Sequence, residues 1–181
     1  LCQALLDRDS FVFEDKLNHA SLIDGGLITG ARLQRYLHND IDSLQKKLER
    51  TETEHTRLVL SDAVFSMDGD IADVPAMAKI CRRFESVLML DDAHGFGVLG
   101  EDGKGTLQHL DVSADDVPVY MATLGKAMGT AGAFIAGSDA LIETLIQKAP
   151  TYIYTTAMPA AIAEATRASL RLLADEPEHR T

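Results

Sequence analysis

Apolar residues recur at spacings of three and four in several stretches of this chain, the period of one helix face. Ile41, Leu44 and Leu48 follow Asp40, a residue type that caps helix starts, and Val74, Met77, Cys81 and Phe84 follow Asp73 in the same way. Leu141, Ile142, Leu145 and Ile146 form a third stripe after Ser138, and Pro159 opens a further helix through about Leu173. Leu1 to Leu6 has the character of a helix already under way. Between these stretches lie short runs rich in β-branched and aromatic residues: Phe11-Val12-Phe13, Leu58-Val59-Leu60, Val87 to Leu90, Val117 to Met121, Ala133-Phe134-Ile135 and Tyr152-Ile153-Tyr154. Several are apolar on both faces, as strands buried inside a sheet are. The alternation predicts an α/β fold, a mostly parallel central sheet with helices on both faces, with chemistry on loops at the strand C-termini.

No repeat, linker or low-complexity segment divides the sequence. A length of 181 residues with 46% hydrophobic residues predicts one core and one domain. The abrupt start and the polar tail from Asp175 to Thr181, which carries no further element in this reading, predict a piece of a longer protein. The net charge of −11 and the lack of any dense Lys/Arg cluster argue against nucleic acid as a partner. Cys2 and Cys81 have neither zinc-site spacing nor enough company for a disulfide framework, which fits a reducing cytoplasm. The longest apolar runs are too short to span a bilayer.

Reactive side chains gather just past the expected strands: Ser66 after Leu58 to Phe65, Asp91 and His94 after Val87 to Leu90, and Thr123 and Lys126 after Val117 to Met121. A lysine in a glycine-rich turn is ordinarily a solvated surface residue. Lys126, however, stands among Gly125, Ala127, Gly129 and Gly132, where backbone room is left for something bulky and a desolvated amine could attack a carbonyl. Asp91 shifts the balance, because a carboxylate at the end of a buried strand would keep a pyridine nitrogen protonated. His94 could hydrogen-bond a ring oxygen or stack on the ring. Taken singly, Asp91 reads as a loop residue capping the next segment and His94 as an ordinary loop histidine.

Val64 to Asp70, Asp91-Asp92-Ala93-His94-Gly95 and Thr123-Leu124-Gly125-Lys126, in this order and spacing, resemble the α-oxoamine synthases. These are pyridoxal-phosphate enzymes of fold type I that join an amino acid to an acyl thioester with loss of carbon dioxide. The resemblance covers nearly all 181 residues. It implies the central part of the cofactor-binding large domain of an aspartate-aminotransferase-like fold. An N-terminal glycine-aromatic segment and a C-terminal small domain, with an arginine for the substrate carboxylate, are then expected outside residues 1–181.

Within that family, Asn18 to Ser21, Arg35 to Asp40, Asp91 to Gly95 and Gly129 to Phe134 are most similar to the branch that uses L-alanine and a pimeloyl thioester, pimeloyl-CoA or pimeloyl-acyl carrier protein, in biotin synthesis. The 2-amino-3-ketobutyrate CoA ligase branch, or another α-oxoamine synthase, is the alternative. The resemblance implies that Lys126 holds the cofactor aldehyde as a Schiff base, Asp91 partners the pyridine nitrogen, His94 and Ser66 bind the ring oxygen, His19 stacks on the ring and Thr123 binds the phosphate. Thr155 and Thr156 would reach the phosphate of a neighbouring subunit, making the site a property of a homodimer. Asp62 takes a supporting place near the ring. Catalysis by residues 1–181 alone is not expected, so a folded, non-catalytic piece is the rival to an active enzyme.

Two other chemistries compete. Gly95-Phe96-Gly97-Val98-Leu99-Gly100 fits a dinucleotide-binding pattern, but Asp91 to His94 intervene after the strand and Glu101 to Gly105 follows in place of a helix. A metal site built from Asp91, Asp92 and His94 conflicts with the pleat, which sends adjacent strand residues to opposite faces.

Overall fold

The computed structural model describes residues 1–180. In chain order the elements are α1 (Cys2–Leu5), β1 (Phe11–Asp15), α2 (Ala20–Leu27), β2 (Arg32–Tyr36), α3 (Ile41–Glu49), β3 (Arg57–Asp62), α4 (Val74–Arg83), β4 (Val87–Asp91), α5 (Thr106–His109), β5 (Val119–Thr123), β6 (Ala133–Gly137), α6 (Asp139–Lys148), α7 (Pro150–Ile153) and α8 (Ala160–Asp175). Among the described residues the strands form one sheet in the order β2-β1-β3-β4-β5-β6. All neighbours run parallel except β5 and β6.

The helices begin where side-chain caps dictate: Asp40 accepts from Ser43 N at 2.8 Å, Asp73 from Ala76 N at 3.1 Å and Ser138 from Leu141 N at 3.3 Å. Their apolar stripes cover both faces of the sheet. On one face Leu44 and Leu48 of α3 and Met77, Ala78 and Cys81 of α4 pack on Phe13, Val59, Leu88 and Leu90. On the other, Cys2 of α1, Leu22 of α2 and Leu141 of α6 pack on Val12, Leu58, Leu60 and Met89. The chain leaves β1 through α2 on this second face and leaves β2 through α3 on the first. The winding direction therefore reverses between β1 and β3, and a crevice opens at their C-terminal ends.

Three differences from the sequence reading have local causes. Tyr152-Ile153-Tyr154 is not a strand: Pro150 sets the first turn of α7, and the N–H groups of Tyr152 and Ile153 bond to Ala149 O and that of Tyr154 to Pro150 O, each at 3.0 Å, leaving none for a ladder. The strand expected from Val117 begins at Val119, because Val117 closes a 3-10 turn over Ala114–Asp116 and Pro118 lacks a donor. β2 (Arg-Leu-Gln-Arg-Tyr) carried no apolar run, since as an edge strand it pairs only with β1. The polar tail adds one 3-10 turn over Pro177–Arg180, and Thr181 lies outside the described residues. No helix among the described residues is long and apolar enough to cross a membrane.

One buried group conflicts with its surroundings. Glu14 of β1 is fully buried with neither carboxylate oxygen hydrogen-bonded, and a Cβ on Gly26 would lie 2.6 Å from its Oε1. Burial pushes its pKa up to about 7, against a smaller opposing pull from Arg35. The folded chain thus holds a proton that the unfolded chain has released above the ordinary value of 4.5. Stability contributed by neutral Glu14 falls as pH rises between these values and is gone above about 7. In thermal melts at pH 5 and pH 8, Glu14→Gln is expected to lose less stability with rising pH than the parent chain, with a difference on the order of 3 kcal/mol. Parallel pH profiles would contradict this.

Candidate active site

The crevice contains a cavity of about 290 Å³ lined by His19, Asp62, Asp91, His94, Thr123 and Lys126, together with Ser21, Ala93, Met121 and Ala133. Register explains the gathering. Asp62 and Asp91 are the last residues of β3 and β4 and pair directly, while Asp91 pairs with Met121 of β5. Both carboxylates thus emerge side by side at the sheet's C-terminal edge, on the same face.

Lys126 sits in the loop joining β5 to β6. Backbone bonds from Leu124 N to Gly132 O (2.8 Å), Thr130 N to Leu124 O (2.9 Å) and Gly129 N to Lys126 O (2.9 Å) fold that loop tightly. From α8, Ser169 Oγ donates to Met128 O at 2.8 Å and Thr166 Oγ1 to Thr130 Oγ1 at 2.9 Å, so this helix braces the lysine loop from behind. That support is invisible in the sequence, because Thr166 and Ser169 are small polar residues on a helix and nothing in their spacing marks the distant loop they meet. Lys126 Nζ lies 2.6 Å from His94 Nε2. Burial, then the Lys126 charge, pushes the His94 pKa down, so the neutral imidazole accepts from the ammonium.

Asp91 is buried and accepts from Ala93 N at 3.0 Å. Burial raises its pKa despite the nearby Lys126 and His19. Asp62 is pushed up to about 6, chiefly by burial and in smaller part by Asp91, although its Oδ2 accepts the His19 N–H at 2.6 Å. Asn18 locks this corner by donating from Nδ2 to Leu60 O at 2.9 Å and accepting Asp62 N–H at 3.0 Å. His19 caps α2, with its Nδ1 accepting from Ser21 N at 3.3 Å and lying 2.8 Å from Ser21 Oγ, which fixes the ring at the cavity wall. The cavity floor therefore carries two carboxylates for which the charges of Lys126 and His19 only partly offset the cost of burial. That is an arrangement suited to a cationic ring nitrogen, and the amine beside it is suited to an aldehyde.

The other residues expected at the site stand differently. Thr123 lines the cavity, but its hydroxyl donates to Gly132 O at 3.1 Å and accepts Gly125 N–H at 3.3 Å. Ser66 lies outside the lining, exposed in the turn from Phe65 to Asp70. That turn is held by His38, whose Nδ1 is 3.0 Å from Asp15 Oδ1 and Nε2 3.1 Å from Asp70 Oδ2, and whose ring meets Phe65 edge-on. Thr155 and Thr156 are exposed between α7 and α8 and do not line the cavity. Asp92 points away from the cavity, as the pleat requires, and Gly95 to Gly100 form successive turns rather than a strand-to-helix crossing.

A profile of the aminotransferase class I and II family matches residues 1–180. The chain belongs to this family. It is 58% identical over 177 residues to an 8-amino-7-oxononanoate synthase of Methylococcus capsulatus, covering 98% of this chain and 46% of that protein. A second 8-amino-7-oxononanoate synthase, from Thioalkalivibrio sulfidiphilus, is 58% identical over 180 residues, 99% of this chain and 46% of that protein. The chain thus spans a little under half the length of these curated relatives. Among solved structures, a lysine-to-alanine variant of serine palmitoyltransferase from S. paucimobilis with a bound PLP-myriocin aldimine superimposes with a TM-score of 0.93 at 27% identity, covering 99% of this chain and 46% of that one. The 8-amino-7-oxononanoate synthase of Francisella tularensis superimposes with a TM-score of 0.86 at 34% identity, covering 99% and 51%. This family member therefore has both the fold and the relatives that its motifs led one to expect.

Proposed function

We propose that this chain is the cofactor-holding part of an enzyme that condenses L-alanine with a pimeloyl thioester, carried on coenzyme A or acyl carrier protein, to give 8-amino-7-oxononanoate, carbon dioxide and the free thiol carrier. The observation that carries the reading is the approach of Lys126 Nζ to His94 Nε2 at 2.6 Å in the cavity that buried Asp91 also lines, in a chain 58% identical to 8-amino-7-oxononanoate synthases. Pyridoxal 5'-phosphate, when bound, supplies an aldehyde for covalent attachment and a conjugated ring that accepts the electron pair left on the amino acid's α-carbon.

The residues divide the remaining work. Lys126 Nζ would hold the cofactor aldehyde, and its free amine would take the α-proton of the amino acid. Asp91 keeps the ring nitrogen protonated by offering a buried negative charge. His94 orients the amine and the ring oxygen, and His19 covers the ring face. Thr123, on the cavity wall, would hold the phosphate through its hydroxyl. Ser66 would contribute to the ring oxygen, and Thr155 and Thr156 would act from the second copy of a homodimer. Substrate capture and turnover belong to the longer protein.

Mixed with pyridoxal phosphate, the chain is expected to develop a visible absorption band that borohydride bleaches. Lys126→Ala should show none. An unchanged band in that variant would overturn the assignment. In the full-length protein, L-alanine is expected to exchange its α-proton faster than glycine or serine, and the reverse order would move the reading to another branch.

A further inference from the structure

Asp92 is fully buried on the side of β4 opposite the cavity. Its carboxylate accepts three hydrogen bonds, from Thr106 N at 2.7 Å, Thr106 Oγ1 at 2.6 Å and Tyr120 Oη at 2.6 Å. Two glycines close on it: a Cβ at Gly95 would collide with Asp92 Oδ1 and Thr106 Oγ1, and one at Gly105 would collide with Oδ2 and stand 2.6 Å from Tyr120 Oη. The segment between these glycines contains no strand and no helix. It reaches the lysine loop through Gly97, where a Cβ would lie 2.7 Å from both the Ala127 Cβ and the Met128 Cε, and His94, just before Gly95, reaches the same loop at Lys126.

We propose that Asp92 is a positioning residue for the His94–Lys126 contact. By tying Thr106 and Tyr120 to the end of β4, its carboxylate fixes the segment from Ala93 to Gly105 on β5, and the segment in turn holds the imidazole against the amine. A buried carboxylate with three short donors supplies this rigidity better than an apolar residue would, because each bond fixes a direction as well as a distance. The placement of His94 against Lys126 is independent of any cofactor. Only the consequence for cofactor binding rests on the function proposed above.

The test is an NMR titration of the His94 imidazole, assigned by its loss in His94→Gln. The groups acting on that ring are Lys126 and His19, which lower its pKa along with burial, and Asp91 and Asp92, which raise it. Tyr120→Phe with Thr106→Val removes two of the three donors and leaves the Asp92 charge in place. In this double variant the His94 midpoint is expected to rise by about one unit as the ring leaves Lys126. Asp92→Asn removes the charge as well, which by itself lowers the midpoint, so the charge-preserving pair decides the matter. If the double variant fails to fold, Tyr120→Phe alone carries the same prediction at smaller size. A lowered melting temperature with an unmoved His94 midpoint would reduce Asp92 to a structural role and overturn the proposal. In a parallel arm, affinity for pyridoxal phosphate should drop about tenfold. Absence of the band in the parent chain would defeat the proposed function, while the His94 midpoint would still decide the role of Asp92.

Discussion

Replacing Asp91 with asparagine is expected to weaken pyridoxal phosphate binding by between about thirtyfold and a few thousandfold, the range for removing one partner of a buried charge pair. The same change should leave the cofactor-free chain as stable as before, or slightly more stable. Asp91 is buried with a raised pKa and one backbone donor, so in the empty cavity its charge is a burden that an amide of the same shape relieves. Opposite movements of affinity and stability separate this account from one in which Asp91 merely caps the loop after β4. In that case Asp91→Asn would lower the melting temperature and leave the cofactor titration alone. Absorption titration and thermal melts on one preparation measure both.

The largest stability effect is expected at Gly105. Its φ of 93° and ψ of −165° lie in a region that only glycine occupies readily, and a side chain there would press on Asp92 and Tyr120. Gly105→Ala combines backbone strain with overpacking and should cost about 2–6 kcal/mol in urea unfolding. Gly30 supplies the control, since it also has a positive φ (74°) but nothing within 4 Å of an added Cβ. Gly30→Ala should therefore cost only about 1–2 kcal/mol. Equal losses at the two positions would show that the packing around Asp92 contributes nothing.

Much of the fold could be read from hydrophobic pattern, because buried parallel strands and amphipathic helices carry their burial in their sequence. Val87 to Leu90 followed by Asp91 is such a case: an apolar run ends, and the first polar residue emerges at the sheet edge where ligands bind. The pleat likewise separates Asp91 from Asp92, which placed one in the cavity and the other behind it. What the pattern hid was decided elsewhere. β2 is polar because it is an edge, and Tyr152 to Tyr154 is β-prone in composition but governed by Pro150. Ser66 belongs to a motif, yet its position depends on Asp15 at the end of β1 and His38 after β2, which hold Asp70 of its own turn. The bracing of the Lys126 loop by Thr166 and Ser169, and the unpaired burial of Glu14, likewise depend on contacts distant in sequence.

The central claim is that one amine, Lys126 Nζ, is built to hold pyridoxal phosphate. It is tested most directly by loading the chain with pyridoxal phosphate, reducing with borohydride, digesting, and locating the phosphopyridoxyl group by mass spectrometry. One modified peptide carrying the group on Lys126 is expected, with loss of that peptide in Lys126→Ala. Modification spread over other exposed lysines such as Lys104 and Lys148, with Lys126, also exposed, labelled no more than they are, would contradict it.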